Sequence, residues 1–177
     1  TIAESVESGL ASPLSNTQPP LAEGKQLSDA HSLDQAEPVY AAHLGRLGKD
    51  EWNILREALH RVESASSSGS CTGSIQQDDG SWIMAYATLS AECDDFLRTL
   101  AGLGLHIPFD WTAWDHGRTL ADVPERLDHA TLAEAGMLIF AIWRSDRFVE
   151  GALLDAFESG LIQRAGRRLL AAAGKED

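Results

Sequence analysis

Met137-Leu138-Ile139-Phe140-Ala141-Ile142-Trp143 is a run of seven apolar residues, and Arg144-Ser145-Asp146-Arg147-Phe148-Val149-Glu150-Gly151 follows it directly. A helix that is apolar on every side is normally buried. We therefore predict that the apolar run forms a buried helix of the core. Four charged residues are then expected where the core ends: Arg144, Asp146, Arg147 and Glu150.

The spacing of these charges indicates a junction between two helices. Ser145 or Asp146 is suited to cap a new helix over about 147–158, with Phe148 among its inward residues. Glu150 then shares a helix face with Asp146 and Arg147, while Arg144 ends the preceding helix. This arrangement predicts an arginine–carboxylate network. We interpret the network as structural, with ligand binding and catalysis as alternatives.

Composition indicates one soluble domain. The 177 residues, 44% of them hydrophobic, suffice for a sizeable core. Since no apolar window is long enough to cross a membrane and no signal-peptide pattern is present, we expect a cytoplasmic protein. The net charge of -13 argues against nucleic-acid binding, which needs clustered Lys and Arg. Cys71 and Cys93 form neither a disulfide framework nor a zinc pattern.

Residues 1–37 are predicted to be an acidic tail before a helical domain over 38–177. This tail has three prolines, no aromatic residue and six acids against one lysine, so it offers little apolar surface to offset the entropy of ordering. A capping pattern at its start accompanies Ile2, Val6 and Leu10 at helical spacing. We expect this short amphipathic helix to dock on its own domain or on a partner.

Helices dominate the remaining pattern, with one β-hairpin between them. A first helix is predicted over 37–48 and a second over about 50–63, followed by a loop over 64–74. Alternating residues around Asp78-Asp79-Gly80 indicate a hairpin at about 74–88, which must lean on helices because two strands alone are marginal. The predicted class is α+β, a predominantly helical single domain with one small hairpin.

Capping signals mark the starts of several predicted helices in the second half of the chain. Ser90 is predicted to cap a third helix, Asp122 a short helix, and Thr131 the long helix that carries the apolar run. A final helix is predicted over about 161–173. We interpret its basic cluster as a solvated outer face: Arg164, Arg167 and Arg168.

Aromatic residues cluster in Phe109-Asp110-Trp111-Thr112-Ala113-Trp114. Asp110 is suited to cap a short helix that Gly117 ends, placing the three aromatic rings against the core. We interpret the cluster as a core anchor. The alternative is an aromatic wall of a ligand pocket, which would lie between Trp111/Trp114 and Arg144/Arg147.

Two ordered motifs carry a family resemblance over about residues 86–170. The first is Phe109-Asp110-Trp111 with Trp114, and the second is the stretch from Arg144 to Ala152. With these motifs the chain resembles a bacterial family, domain of unknown function 6508. The family pattern has Cys and His where this chain has Val149 and Ala152. The resemblance implies a shared fold and brings no established activity.

No catalytic, metal-binding or phosphate-binding motif is present, so we predict no catalytic residue, metal or cofactor. The leading prediction is a non-catalytic protein-interaction protein with an adaptor or regulatory role and a protein partner. The alternatives are a small-ligand binder or enzyme using the pocket just described, and an acidic inhibitor or DNA mimic in phage or defence biology. The candidate binding residues are Phe109, Asp110, Trp111, Trp114, Arg144, Asp146, Arg147 and Glu150, with Ile2, Val6 and Leu10 for docking of the tail.

Overall fold

Helices and one β-ribbon make up residues 31–171, the part of the chain that this computed structural model describes. The helices are α1 (Leu33–Leu44), α2 (Lys49–Ser64), α3 (Ala91–Gly102), α4 (Asp115–Asp122), α5 (Leu132–Ser145), α6 (Ala152–Glu158) and α7 (Leu161–Leu170). The strands are β1 (Gly69–Thr72), β2 (Ile75–Gln76), β3 (Trp82–Ile83) and β4 (Tyr86–Leu89). The predicted α+β class, predominantly helical with a small antiparallel β element, is confirmed.

The apolar run forms the central helix, α5, as predicted. Residues 137–140 are buried, and residues 141–143 are half-buried as the helix leaves the core. Helices α1, α4, α6 and α7 all pack against α5. The close approach of α1 depends on Gly136, because a Cβ there would lie 2.8 Å from Cε1 of Tyr40. The core therefore surrounds the helix that the sequence marks as most apolar.

Two of the predicted caps are confirmed. Thr131 Oγ1 accepts from the Glu134 N–H at 3.1 Å, while the Glu134 carboxylate accepts from the Thr131 N–H at 2.6 Å. Ser90 Oγ accepts from the Cys93 N–H at 3.3 Å and begins α3. These side chains satisfy N–H groups that have no partner within the helix. Both helix starts were therefore readable from the sequence.

Helix α1 differs from the prediction at both ends. It begins at Leu33 and ends at Leu44, so Pro38 lies inside the helix rather than in its first turn. The chain is already fixed at His31, whose N–H donates to the Pro108 carbonyl at 3.0 Å. Residues 33–37, which we placed in the tail, therefore belong to α1. The predicted docking helix with Ile2, Val6 and Leu10 lies outside the described residues.

Three further predictions about the helical segments were wrong. Gly117 does not end a helix; it lies within α4, which follows a 3-10 turn at Trp111–Ala113. Asp110 does not cap that turn, because its carboxylate accepts from the Thr112 hydroxyl at 2.6 Å instead. The short helix from Val123 is a 3-10 turn, Pro124–Asp128, without the predicted capping box at Asp122. At Asp110, the local hydrogen bond to Thr112 takes the carboxylate that a cap would use.

The hairpin is longer than predicted. Strand β1 pairs antiparallel with β4, and β2 pairs antiparallel with β3. Two residues separate β1 from β2, and two separate β3 from β4, so the same register continues through both pairs. The four strands therefore form one ribbon over 69–89. Strand β1 lies in the stretch that we predicted to be a loop over 64–74. Of its residues, Gly-Ser-Cys-Thr, only Thr72 is a typical strand former, so pairing with β4 rather than local propensity makes this segment a strand.

Candidate interaction surface

The ribbon exposes large apolar side chains near its tip. The exposed fractions are 55% for Ile75, 59% for Trp82, 43% for Ile83, 72% for Met84 and 50% for Tyr86. Trp82, Met84 and Tyr86 lie on one face of the ribbon, and Ile75 and Ile83 lie opposite each other on the other face, because side chains alternate along a strand. Monomeric soluble proteins rarely leave clustered large apolar side chains uncovered unless they bind something. This group of five residues, termed the ribbon patch, is therefore the first candidate for function.

Only the base of the ribbon leans on helices. Leu89 packs against the core, and a Cβ added at Gly69 would lie 3.0 Å from the Leu154 side chain of α6. Along β4 the exposed residues alternate with half-buried ones, so Ala87 and Leu89 face the domain while Tyr86 faces away. The expectation that the hairpin leans on helices is thus met at the base, while its tip projects.

A turn after α5 adds two more exposed apolar residues to this side of the molecule. Phe148 is 76% exposed and Val149 is 60% exposed. Both lie in the turn between α5 and α6, and the predicted helix from Arg147 is wrong because α6 begins only at Ala152. Glu150 in this turn accepts from the Ala87 N–H of β4 at 2.7 Å. The turn, residues 147–150, therefore lies beside the ribbon.

The predicted arginine–carboxylate network is not formed. Asp146 accepts from the Leu153 N–H at 2.9 Å and thereby caps α6, whose own N-cap residue is Gly151. Glu150 is bound to β4. Among the described residues, no ion pair includes Arg144 or Arg147, which are half-buried and exposed respectively. Both carboxylates accept hydrogen bonds from backbone N–H groups instead of pairing with the arginines. Residue spacing alone does not show that these backbone donors compete for the carboxylates.

The aromatic motif divides between the core and the surface. Phe109 and Trp114 are buried and meet edge to face at 5.6 Å between ring centroids, so the anchor interpretation holds for them. Trp111 is only half-buried, and its ring centroid lies 6.1 Å from that of Phe148. The two sequence motifs are thus brought together through Trp111 and Phe148, while Asp110 stays exposed and bonded to Thr112.

A groove of about 250 Å³ lies next to this contact. It runs between the 3-10 turn, α4 and α5, and its walls include Trp111, Trp114, Leu138 and Ile142. Arg118 is the charged group beside it, and Thr112 and Ser145 supply hydroxyl groups. The predicted pocket beside Trp111 and Trp114 therefore has a counterpart, but Arg144 and Arg147 do not line it.

Comparison with known proteins identifies a family to which the chain is related. Residues 47–175 match a family of unknown function, DUF6508. The chain belongs to this family. The match is longer than the segment 86–170 that carries the resemblance, and it includes α2 and the whole ribbon of this DUF6508 member. No curated protein and no solved structure matches the chain.

Outside the candidate surface, this DUF6508 member uses its C-terminal arginines to join helices. Arg164 forms a two-point pair with Asp128, at 3.0 and 2.6 Å, and this pairing lowers the pKa of the Asp128 carboxyl. Arg167 contacts Glu63 of α2, and Arg168 donates to the Ala130 carbonyl at 2.6 Å. The three arginines of α7 therefore bind groups on neighbouring elements of the domain, and they do not form the purely solvated face that we predicted. The described part of the chain contains no helix long and apolar enough to cross a membrane.

Sequence reasoning missed two parts of this surface, β1 and the exposed Phe148-Val149 pair. Phe148 fits the apolar spacing of a continued helix, so periodicity places it inside. A signal for the ribbon was nevertheless present. Residues 64–77 and 80–91 contain no charged residue in a chain with 27 acids. Within the second of these stretches, residues 82–87 are Trp-Ile-Met-Ala-Tyr-Ala, and exposed apolar residues in such a run are typical of a binding surface.

Proposed function

We propose that this chain is a non-catalytic protein-interaction protein that binds a protein partner through the ribbon patch and the neighbouring turn 147–150. The ribbon patch carries the proposal. Five large apolar side chains are between 43% and 72% exposed there. Fully burying a side chain of this kind contributes about 1.5–3 kcal/mol, and roughly half of each of these side chains is still available for burial against a partner.

The composition of the surface also favours a protein partner. Trp82, Tyr86 and Met84 are of the types enriched at protein interfaces, where aromatic residues and Met exceed their usual surface share. Arg147 is exposed in the adjacent turn and enters no ion pair among the described residues, so it can meet a carboxylate of a partner. An apolar centre with a charged rim is the common anatomy of an interface.

The remaining parts of the proposal concern compartment and partner class. Cys71 and Cys93 are both free thiols, which favours the reducing cytoplasm. The net charge of -13 favours a protein over a nucleic acid as the partner, because phosphate binding requires clustered basic residues.

Affinity capture from a lysate of the native host tests the proposal. The bait is the full chain, compared with the double variant Trp82→Ser/Tyr86→Ser. The matched control is Ile54→Ser, because Ile54 on α2 is likewise 52% exposed but lies outside the ribbon. We expect a set of proteins that the wild type and the control hold and the double variant loses. Equal capture by all three chains would overturn the proposal.

The groove beside Trp111 supports a second candidate, binding of a small apolar ligand. Its volume of about 250 Å³ fits a ligand smaller than a typical drug molecule. Arg118 at the groove offers a positive charge to a carboxylate, although it now contacts Asp115 at 3.4 Å. A thermal-shift screen of aromatic carboxylates tests this candidate. Stabilisation that Trp111→Ala abolishes would support it, and no shift with any compound would refute it.

A further inference from the structure

A second groove, of about 430 Å³, lies between α1, α2 and the start of α5. Ligand pockets in proteins measure about 300–1,000 Å³, so a small organic molecule fits into a groove of this size. The wall is mostly apolar, and the ribbon patch contributes none of the described residues that line it. Its large apolar side chains are Leu44, Leu47, Trp52 and Leu132, and its polar members are Glu37 and Thr131.

Glu37 carries the only charge among the described residues that line this groove. It is exposed, and it forms no ion pair within the described part of the chain. Arg46 and Lys49, near the start of α2, are exposed and do not line the groove. An unpaired carboxylate beside an apolar wall is complementary to a ligand that joins a positive charge to an apolar body.

Thr131 holds the Glu37 carboxylate at the groove. The Thr131 hydroxyl donates to Glu37 Oε1 at 3.1 Å, while its oxygen accepts from the Glu134 N–H at 3.1 Å. The other Glu37 oxygen, Oε2, has no donor among the described residues, so it is available to a ligand. A carboxylate that is already oriented loses less conformational freedom when it binds.

The surrounding charge opposes an anionic ligand. A helix N-terminus ordinarily favours an anion, and the start of α5 lies at the groove. However, two carboxylates already lie at that helix end, those of Glu37 and Glu134. The net charge of -13 also raises the local concentration of cations and lowers that of anions. A positively charged group therefore matches this groove better than a carboxylate does.

We propose that this groove binds a small organic ammonium ion, an amine that carries an apolar chain or ring. The ammonium group donates to Glu37 Oε2, and the apolar part of the ligand contacts Trp52 and Leu132 in the wall. The inference goes beyond the proposed function, because it concerns a small ligand held by helices α1, α2 and α5 rather than a protein held by the ribbon.

Phenylbutylamine is a suitable probe, with phenylbutanol as its uncharged analogue and phenylpentanoate as its anionic one. Isothermal titration calorimetry on the full chain measures the affinity of each compound. We expect the amine to bind, the alcohol to bind about two- to fivefold more weakly because it lacks the ion pair, and the carboxylate to bind more weakly still. No binding of the amine, or equal affinity for either analogue, overturns the proposal.

Two pairs of variants locate the site. Glu37→Gln removes the charge but keeps an acceptor for Thr131, and Asp34→Asn makes the same change in net charge on α1 outside the groove. Ala41→Trp fills part of the groove, whereas Ala42→Trp adds the same side chain at an exposed position that does not line it.

We expect Glu37→Gln to weaken binding of phenylbutylamine about two- to fivefold and Ala41→Trp to abolish it, while both controls bind like the wild type. An affinity that Glu37→Gln leaves unchanged, or that folded Ala41→Trp retains, overturns the proposal. If Ala41→Trp does not fold, the comparison of Glu37→Gln with Asp34→Asn still decides, because both of these positions are exposed.

Discussion

Tyr40 shows, at the scale of one residue, how the core keeps its polar atoms paired. Its ring is fully buried on α1, and its hydroxyl donates to the Leu105 carbonyl at 2.9 Å. The Tyr40 hydroxyl oxygen in turn accepts from the Ile107 N–H at 3.4 Å. Burial raises the pKa of the phenol, so the hydroxyl stays neutral and keeps its donor role. Tyr40 thus ties α1 to the loop that precedes the aromatic motif.

Replacing Tyr40 with Phe should be costly, because the Leu105 carbonyl and the Ile107 N–H lose a buried partner. We expect the free energy of unfolding to fall by about 1–3 kcal/mol, as measured by urea denaturation. Tyr86→Phe is the matched control, since Tyr86 is 50% exposed, and it should change stability by less than about 0.5 kcal/mol. Equal losses in both variants would contradict this account of Tyr40.

His106 supplies a second residue-scale prediction, on pH. Its ring stacks on Trp143 at 4.4 Å between centroids, and its Nε2 is buried without a hydrogen-bond partner in the described structure. Burial lowers the pKa of His106 below its ordinary value, so the fold favours the neutral ring. The unfolded chain then binds the proton more readily, and stability falls as the pH drops below about 6.5.

Unfolding measured between pH 7.5 and pH 5 checks this dependence. We expect His106→Gln to flatten the fall in stability toward pH 5, because the group that titrates only on unfolding is gone. His60→Gln serves as the control, since His60 is exposed on α2. A wild-type profile with the same slope as that of His106→Gln would show that His106 is not responsible.

At the scale of an element, the start of α6 depends on a side chain from the end of α5. Gly151 has a left-handed backbone, with φ of 85°, and has no side chain that could cap the helix. Asp146 supplies the missing acceptor to the Leu153 N–H. Glycine is suited to this backbone and a carboxylate to a helix N-terminus, so the motif as a whole builds a sharp turn between two helices.

Variants of Asp146 and Arg147 separate this capping role from the predicted charge network. Asp146→Ala should lower the free energy of unfolding by about 0.5–2 kcal/mol, the usual cost of a lost cap. Arg147→Ala should leave it nearly unchanged, because Arg147 is exposed and enters no ion pair among the described residues. Urea denaturation of the two variants decides between them. A larger loss in Arg147→Ala would restore the network interpretation.

Elements whose signals are local were predictable from the sequence. Thr131 and Glu134 mark the start of α5, and the apolar run identifies it as the buried centre, because capping and burial depend on neighbouring residues. Strand β1 was not predictable, since Gly-Ser-Cys-Thr becomes a strand only by pairing with β4. The sequence predicted that the aromatic motif lies near the end of α5, but not that Trp111 contacts Phe148. That contact depends on where α6 begins, which also decides that Phe148 is exposed.

At the scale of the whole molecule, the ion pairs between elements lie in the helical body, and the exposed apolar surface lies on the ribbon. Arg61–Asp95, Arg164–Asp128 and Arg167–Glu63 join neighbouring elements of the helical body. The ribbon has no charge outside its tip and keeps large apolar side chains in solvent. Stability therefore resides in the helices, and the ribbon patch is available for contact with another chain.

Urea unfolding of Trp82→Ser/Tyr86→Ser tests this separation most directly. Because both side chains are at least half exposed, we expect the free energy of unfolding to stay within about 0.5 kcal/mol of the wild-type value for each substitution. Trp52→Ala is the comparison, since Trp52 is 7% exposed and its loss should cost about 3–5 kcal/mol. A comparable loss in the double variant would show that the ribbon patch belongs to the core, and would contradict its role as a binding surface.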